Sequence, residues 1–388
     1  MGNKEQWAAA AYVIEQIEQA GFEAVVVGGA VRDYYLQKDM HDIDIATSAT
    51  PQEMKRIFQQ TVDVGIEHGT VLILDGGEPI EVTTYRTEGT YADHRRPDEV
   101  VFVRTLKDDM QRRDFTMNAM ALTKNYTIID YYNGAQDIDA KLIRAVGEPA
   151  QRFAEDALRM LRAIRFSAQL GFTIEQQTLA AIQQHAATIE KIAVERIDME
   201  LAKLFTAAYV ANGIEMLVTS NLSTYLPGIW RAADWIHFKA NHPDKGWAYV
   251  AYLAQTNDIL TAYKCSNKTQ QFVKHVMAAA EHMQSKWTAW ESFSYDVEVI
   301  ETAYDICCYQ QQSTVLPLDV ILTQKAALPI ATKKELAITG HHLLKWSGDK
   351  KGPWLKDALL QALQLVVTGQ LSNEEQQLKE WFLHDFNN

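Results

Sequence analysis

The stretch VVVGGAVRDYYLQKDMHDIDIAT, residues 25–47, decides how this chain folds. Together with the two residues before it, Glu23 and Ala24, the run Val25-Val26-Val27 reads as a short buried strand, and Gly28-Gly29 turns the chain into a helix starting near Val31. Asp42-Ile43-Asp44-Ile45-Ala46 then alternates polar and apolar residues, as a half-buried strand does. On a strand, residues two apart project from the same face, so Asp42 and Asp44 would set two carboxylates side by side. Two such charges repel unless a cation sits between them. Oxygen-only ligation suits Mg²⁺, which binds one or two carboxylates and takes its other ligands from water and phosphate. A Gly-Gly turn at a helix N-terminus lets backbone N–H groups approach a phosphate, and Arg32 can pair with it. A glycine turn alone is ordinary, and so is an Asp-x-Asp strand. In this order and spacing they describe a site for a metal and a nucleoside triphosphate.

Working outward, residues 1–20 carry an amphipathic helical pattern. Thr50-Pro51-Gln52-Glu53 is a helix start, with Thr50 as cap, Pro51 in the first turn and Glu53 completing a capping box. Strand-like runs follow at 62–65, 70–74 and 80–84. A long polar segment over 85–99 leads to 100–104, and 116–122 and 126–131 close the region. A connection that long inside a compact domain is usually functional. After Pro149 the pattern is almost wholly helical. The predicted fold is therefore an α/β head with a small mixed sheet over about 1–145, followed by an elongated all-α array.

Composition sets the outer bounds. At 388 residues the chain exceeds what one hydrophobic core sustains, so more than one domain is expected. Its 47% hydrophobic and 22% charged residues are globular proportions, not those of a disordered chain. No run of about 18 apolar residues reads as a membrane span, and the acidic, amphipathic start argues against a signal peptide; no membrane partner is expected. Cys265, Cys307 and Cys308 are too few and too poorly spaced for a disulfide framework or a zinc site, which fits a cytoplasmic location. Adjacent Cys307 and Cys308 read as buried or half-buried helical residues. The net charge of −13 weighs against a nucleic-acid partner, because phosphate contacts dominate such binding, unless basic groups cluster locally.

Two further clusters carry chemistry. Arg112-Arg113-Asp114-Phe115-Thr116-Met117-Asn118 offers Arg113 to a phosphate and Asp114 to a ribose hydroxyl. Glu155-Asp156-Ala157-Leu158-Arg159-Met160-Leu161-Arg162-Ala163-Ile164-Arg165 reads as a helix on which Asp156 and Arg159 share a face and Arg162 continues the row. Alone, that pattern is equally an intrahelical salt bridge. Base chemistry gives it a sharper meaning. Cytosine and adenine each present an amine donor beside a ring-nitrogen acceptor, whereas uracil and guanine present a carbonyl beside an N–H. An aspartate acceptor next to an arginine donor complements the first pair and opposes the second. Arg162 and Arg165 would serve the triphosphate or hold Asp156.

In this order the three clusters resemble the tRNA nucleotidyltransferase/poly(A) polymerase family of the polymerase-β superfamily, and within it the CCA-adding type of Gram-positive bacteria. GGAVRDYYL…DIDIAT is similar to the family's metal and triphosphate motif, RRDFTMNAMA to its ribose-sensing motif and EDALRMLRAIRF to its base-recognition motif. AVERIDMELAKLF, residues 193–205, resembles the motif that helps hold the recognition helix. EVTTYRTEGTYADHRRPDEVVFV resembles the loop that helps switch specificity from CTP to ATP. The specific likeness covers about residues 21–205; beyond it, ITGHHLL…GPWLKDALLQ resembles the tail.

The resemblance implies that the all-α array is an elongated neck, body and tail, with divisions at 1–145 for the head, 146–205 for the neck, 206–290 for the body and 291–388 for the tail. It implies Mg²⁺ on Asp42 and Asp44, with Glu81 as a third catalytic carboxylate. It implies nucleotide contacts from Gly28, Gly29, Arg32, Arg113, Asp114, Asn118, Asp156, Arg159, Arg162 and Arg165. The partners it implies are tRNA, CTP and ATP, and it leaves a homodimer open. Lys350-Lys351-Gly352-Pro353-Trp354, ahead of Lys333-Lys334, is the candidate for tRNA phosphates in the tail. The expected activity is template-independent addition of C, C and A to the 3′ end of tRNA. Its rivals are a poly(A) polymerase and an enzyme adding only the terminal A. The full-length 85–99 segment argues against addition of C residues alone. A phosphohydrolase centre is not expected, since His275 and His282 lack an adjacent His-Asp pair.

Overall fold

A computed structural model of the chain describes residues 4–40, 42–88, 100–348 and 352–386. The chain forms two compact units, one of Met1–Asn241 with Ala262–Lys264, the other of His242–Thr261 with Cys265–Asn388.

The first unit opens with helix α1 (Lys4–Gln19) and strand β1 (Ala24–Val27), then α2 (Gly29–Tyr35) and β2 (Asp44–Thr47). Helix α3 (Pro51–Ile57) precedes β3 (Thr61–Gly65), β4 (Thr70–Ile73) and β5 (Ile80–Thr84). A hairpin of β6 (Arg86–Glu88) and β7 (Val100–Phe102) leads to α4 (Leu106–Gln111), β8 (Met120–Leu122) and β9 (Ile128–Asp130). The main sheet runs β3-β4-β5-β2-β1-β8-β9. Its β2–β5 pair is parallel and the others antiparallel, so the sheet is mixed as expected.

The period-2 rule explains the layers. Val25 and Val27 of β1, Ala46 of β2 and Ala121 of β8 share one core cluster with Leu106 and Met110 of α4. Helix α1 packs on β1, β2 and β5 through Ala9, Ala10, Val13, Ile14 and Ile17, which recur at helical spacing. Helix α3 starts as read: Thr50 accepts from the Glu53 amide, Glu53 accepts back from Thr50, and Pro51 stands in the first turn. One expectation is corrected. The strand begins at Asp44, and Asp42 lies before it with φ 51, so the 42–46 alternation is only partly strand. An aspartate tolerates that left-handed conformation better than most residues.

Helical structure then takes over with α5 (Gly134–Asp139), α6 (Pro149–Glu155), α7 (Leu158–Leu170), α8 (Gln176–His185), α9 (Val194–Phe205) and α10 (Val210–Thr219). Helix α7 is the axis of this region, packed on α9 and α10 through Leu161, Ile164 and Ala168 among others. A second correction falls here. Residues 155–165 are not one helix, because Asp156 ends α6 in an extended conformation and α7 begins at Leu158. The physical reason is local. The Asp156 carboxylate accepts from the Leu158 amide at 3.0 Å, a side-chain bond two residues on that favours a turn over helix continuation.

In the second unit α11 (Pro243–Ala254), α12 (Asn267–Ser285) and α13 (Val297–Tyr309) pack together. A separate core gathers Leu343, Leu363, Val366, Leu378 and Phe382 around α14 (Trp354–Val367). On α13, Cys307 is buried but Cys308 is exposed, which corrects the half-buried reading for the second cysteine. Among the described residues, no helix is long and apolar enough to cross a membrane.

Candidate nucleotide-binding site

Three groups of side chains, from the start of the central strand β2, the turn after α4 and the α6–α7 junction, define the site. The first is the carboxylate end of β2. Asp44 is the exposed first residue of a strand otherwise buried. Because β2 runs parallel to β5 with Ile45 beside Val82, Asp44 falls beside Glu81, itself exposed. Partial desolvation, Glu81 and Asp42 together push the Asp44 carboxyl up to about 6, against the pull of Arg113. Gly28 has φ 76, a backbone conformation open to glycine at little cost, and it turns the chain into α2. A Cβ there would stand 3.4 Å from Nη1 of Arg113, so the glycine also lets that guanidinium pass close to the turn. Gly29, the first residue of α2, faces Arg32, whose Nη2 would lie 3.5 Å from a Cβ at that position.

The second group follows α4. Asp109, 1% exposed, accepts from Arg112 at 2.9 Å and Arg113 at 3.2 Å. Asp114 accepts from Asn118 Nδ2 at 3.1 Å and from Arg162 at 2.7 Å. Burial alone would raise its carboxyl; Arg162, the Asn118 bond and Arg159 outweigh that and hold it at about 2. Asn118 turns its other end to Arg32, whose Nη1 donates to Oδ1 at 2.9 Å. Arg32 also donates to Asp33. The amide of Asn118 thus joins the glycine-turn helix to the arginine–aspartate turn.

The third group is the α6–α7 junction. Asp156 is gripped by Arg196 of α9 at 2.7 Å, and Arg159 donates to Glu155 at 2.7 Å and to the Arg112 carbonyl at 3.0 Å. Arg162 reaches both Asp114 and, at 3.6 Å, Glu200 of α9. Arg165 is turned away from the cavity: buried, it donates to Glu200 at 2.5 Å and to Gln169 at 2.5 Å. The ring of Phe166 backs this row, with guanidinium carbons of Arg165, Arg32 and Arg162 at 3.8, 5.3 and 5.5 Å from its centroid.

The second and third groups meet in an open cavity of about 320 Å³ lined by Arg112, Arg113, Asp114, Asp156, Leu158, Arg159, Arg162 and Arg196. Five arginines against two aspartates make it a cationic recess in a chain of net charge −13. Basic groups thus cluster locally in a chain that is acidic overall. The lining joins residues of two motifs separated by about 40 positions, while Arg113 carries the electrostatic link to Asp44.

Sequence reading singled out neither Asp109, Arg196 nor Glu200, although each anchors a residue it did single out. Arg196 and Glu200 stood inside the quoted 193–205 stretch, where their spacing of four marks one helix face. Asp109 precedes two arginines by three and four residues, a spacing for which ion pairing was the available signal. Part of the 85–99 segment, 89–99, and Lys350 and Lys351 lie outside the described residues. Lys333 and Lys334 are exposed in a single 3₁₀ turn.

Comparison with known proteins places the chain in a family. Residues 24–144 match the poly A polymerase head domain, 171–232 an RNA and SrmB-binding site of polymerase A, and 238–382 the tRNA nucleotidyltransferase domain 2. The CCA-adding enzyme of Listeria innocua is 41% identical over 95% of this chain and 96% of its own. That of Limosilactobacillus fermentum is 44% identical over 94% of each. The crystal structure of the Bacillus stearothermophilus CCA-adding enzyme in complex with CTP superposes with a TM-score of 0.88 at 35% identity, covering 99% of this chain and 98% of that one. A Thermotoga maritima CCA-adding enzyme complexed with tRNA, at 20% identity and a TM-score of 0.67, shares the fold. With sequence likeness running nearly end to end and the same architecture beneath it, the chain belongs to the family of CCA-adding enzymes.

Proposed function

We propose that this protein adds C, C and A in turn to the 3′ end of tRNA, taking nucleotides from CTP and ATP without a nucleic-acid template. The observation that carries the reading is the cationic cavity in which Asp156 and Arg159 stand beside Arg113, Asp114 and Arg162. In the reaction the terminal hydroxyl oxygen of tRNA bonds to the α-phosphorus of the nucleotide, the bond to the β-phosphate breaks, and pyrophosphate leaves. Catalysis of this kind is mainly positioning and charge neutralisation.

Arg113 and Arg32 are proposed to hold the triphosphate near the Gly28-Gly29 turn, and Asp114 to accept from the ribose. Asp156, fixed by Arg196, presents an acceptor to the exocyclic amine of cytosine or adenine, and Arg159 presents the donor. Arg165 acts from behind, through Glu200, not as a ligand to the nucleotide.

Asp42, Asp44 and Glu81 suit a hard divalent cation. They offer oxygen ligands only, and the charged form of Asp44, disfavoured first by desolvation and then by Glu81 and Asp42, is what a cation would favour. Among the described residues no three His, Cys, Asp or Glu form a ready-made metal cage. Mg²⁺ takes one or two carboxylates and completes its shell with water and phosphate. When bound, Mg²⁺ would neutralise triphosphate charge and acidify the attacking hydroxyl. A cytoplasmic location belongs to the same proposal, supported by three cysteines of which none is in a disulfide.

The test is incubation of the purified protein and Mg²⁺ with a tRNA transcript lacking its last three nucleotides, given each nucleotide singly and CTP with ATP, and read at single-nucleotide resolution. Addition of CC from CTP alone and CCA from the pair is expected. A long A ladder from ATP alone would make the protein a poly(A) polymerase. A added only to tRNA ending in CC would make it one half of a divided system.

A further inference from the structure

Arg112 and Arg113 pose an electrostatic problem. They are consecutive, each side chain is 17% exposed, and both line the same cavity. Two guanidiniums so placed repel unless an anion sits between them. Asp109 is that anion. Its Oδ1 accepts from Nε of Arg112 at 3.0 Å and Nη2 at 2.9 Å, and its Oδ2 accepts from Nη2 of Arg113 at 3.2 Å. Oδ1 also accepts from the backbone amide of Arg86 at 3.3 Å, which ties the first residue of β6 to α4. With the side chain 1% exposed, Asp109 does not itself line the cavity.

Arg113 depends on this carboxylate. Its other hydrogen bond, to the Asn118 carbonyl, is long at 3.4 Å, and its Nε is buried without a partner. Beside it the hydroxyl of Tyr85 is likewise buried without a partner. A buried donor left without an acceptor is costly, and it marks a group aimed at something that arrives later. The guanidinium passes the Gly28 turn and acts electrostatically on Asp44.

We infer that Asp109 is the positioning residue of the nucleotide site, holding Arg112 and Arg113 on one anion so that Arg113 stands between the Gly28 turn and Asp44, ready for an anionic phosphate of the incoming nucleotide. The inference rests on the proposed nucleotidyl transfer and extends it to a residue outside the three motifs. Asp109 touches no substrate; it acts through Arg113.

The experiment measures steady-state CTP and tRNA dependence for wild type, Asp109→Asn, Arg113→Gln and the double variant, with thermal unfolding followed in parallel. In D109N the nucleotide KM is expected to rise about 10-fold or more while the KM for tRNA stays within about 2-fold, because an arginine set without its anion loses aim and not primer contact. The double variant is expected to lose no more than R113Q alone, since residues acting as a unit are not additive. Equal losses in both KM values, or additive losses in the double variant, would overturn the inference. Should D109N fail to fold, Asp109→Glu takes its place in the same cycle, with the same non-additivity expected. Wild-type protein that adds nothing to the shortened tRNA sinks the proposed function itself. Wild-type addition with an unchanged nucleotide KM in D109N sinks only the role of Asp109.

Discussion

Asp156 and Arg196, 40 residues apart, form an ion pair of 2.7 Å across the α6–α7 junction. The carboxylate proposed to read the base is thereby held from a different helix, and Arg159 is anchored by Glu155. Recognition by two groups fixed independently is more rigid than recognition by a pair on one flexible helix face, because each group has its own restraint.

Loss of that restraint should loosen base choice. Arg196→Ala is expected to lower the preference for C and A over U and G roughly 10-fold, within the range of one hydrogen-bonded base contact. Arg159→Ala should do the same more directly. Single-turnover competition between CTP and UTP measures both. Unchanged selectivity in Arg159→Ala would end the idea that the protein replaces a template.

Asp42 is exposed and stands outside the strand, so its removal should leave the fold intact. Asp42→Asn, which tolerates the φ of 51 as aspartate does, is expected to keep the wild-type melting temperature but to slow nucleotide addition on the order of 100-fold or more, if it serves a metal as proposed. Addition rates across a Mg²⁺ titration decide it. Near-normal turnover at ordinary Mg²⁺ would remove Asp42 from the site.

Asp114 should leave a signature in acid. Its folded carboxyl, at about 2, lies below the ordinary 3.8, so the folded state binds the proton more weakly than the unfolded state. Its stabilisation is therefore fully present above about 4 and is lost as pH falls from there through about 2. A depression of that size corresponds to about 2 kcal/mol, and the side chain is only 10% exposed. Asp114→Asn should be less stable than wild type at pH 7 by roughly that amount, with the gap narrowed to about half at pH 3. Denaturant unfolding at the two pH values measures it. A gap that does not change with pH would show that the charge is not the stabilising feature.

Gly134 should be intolerant of any side chain. A Cβ there would stand 2.2 Å from the Thr116 carbonyl oxygen and 2.8 Å from its carbon, backbone atoms that cannot step aside. Thr116 opens the 3₁₀ turn that carries Asn118, the link between Arg32 and Asp114. Gly134→Ala is expected to cost about 1–3 kcal/mol, as overpacking does, and to raise the nucleotide KM through displaced Asn118. Calorimetric melting and CTP titration check the two effects together. A variant as stable as wild type would contradict the packing at this turn.

The local signals were legible in the chain itself. The capping box at Thr50 and Glu53, the buried Val25–Val27 run and the amphipathic pattern of α1 depend on neighbours within about four residues, and each formed where it was read. The order of the three motifs placed the chain in its family and predicted a mixed-sheet head followed by helices, as the strand order and the helices after Pro149 bear out. Tertiary structure decided what local pattern could not. It started β2 at Asp44 and turned Arg165 inward to Glu200. It also brought Arg196 to Asp156. The physical reason is that a charged side chain pairs with whatever opposite charge the packed helices bring within about 4 Å, and sequence spacing reveals that partner only when both lie on one helix.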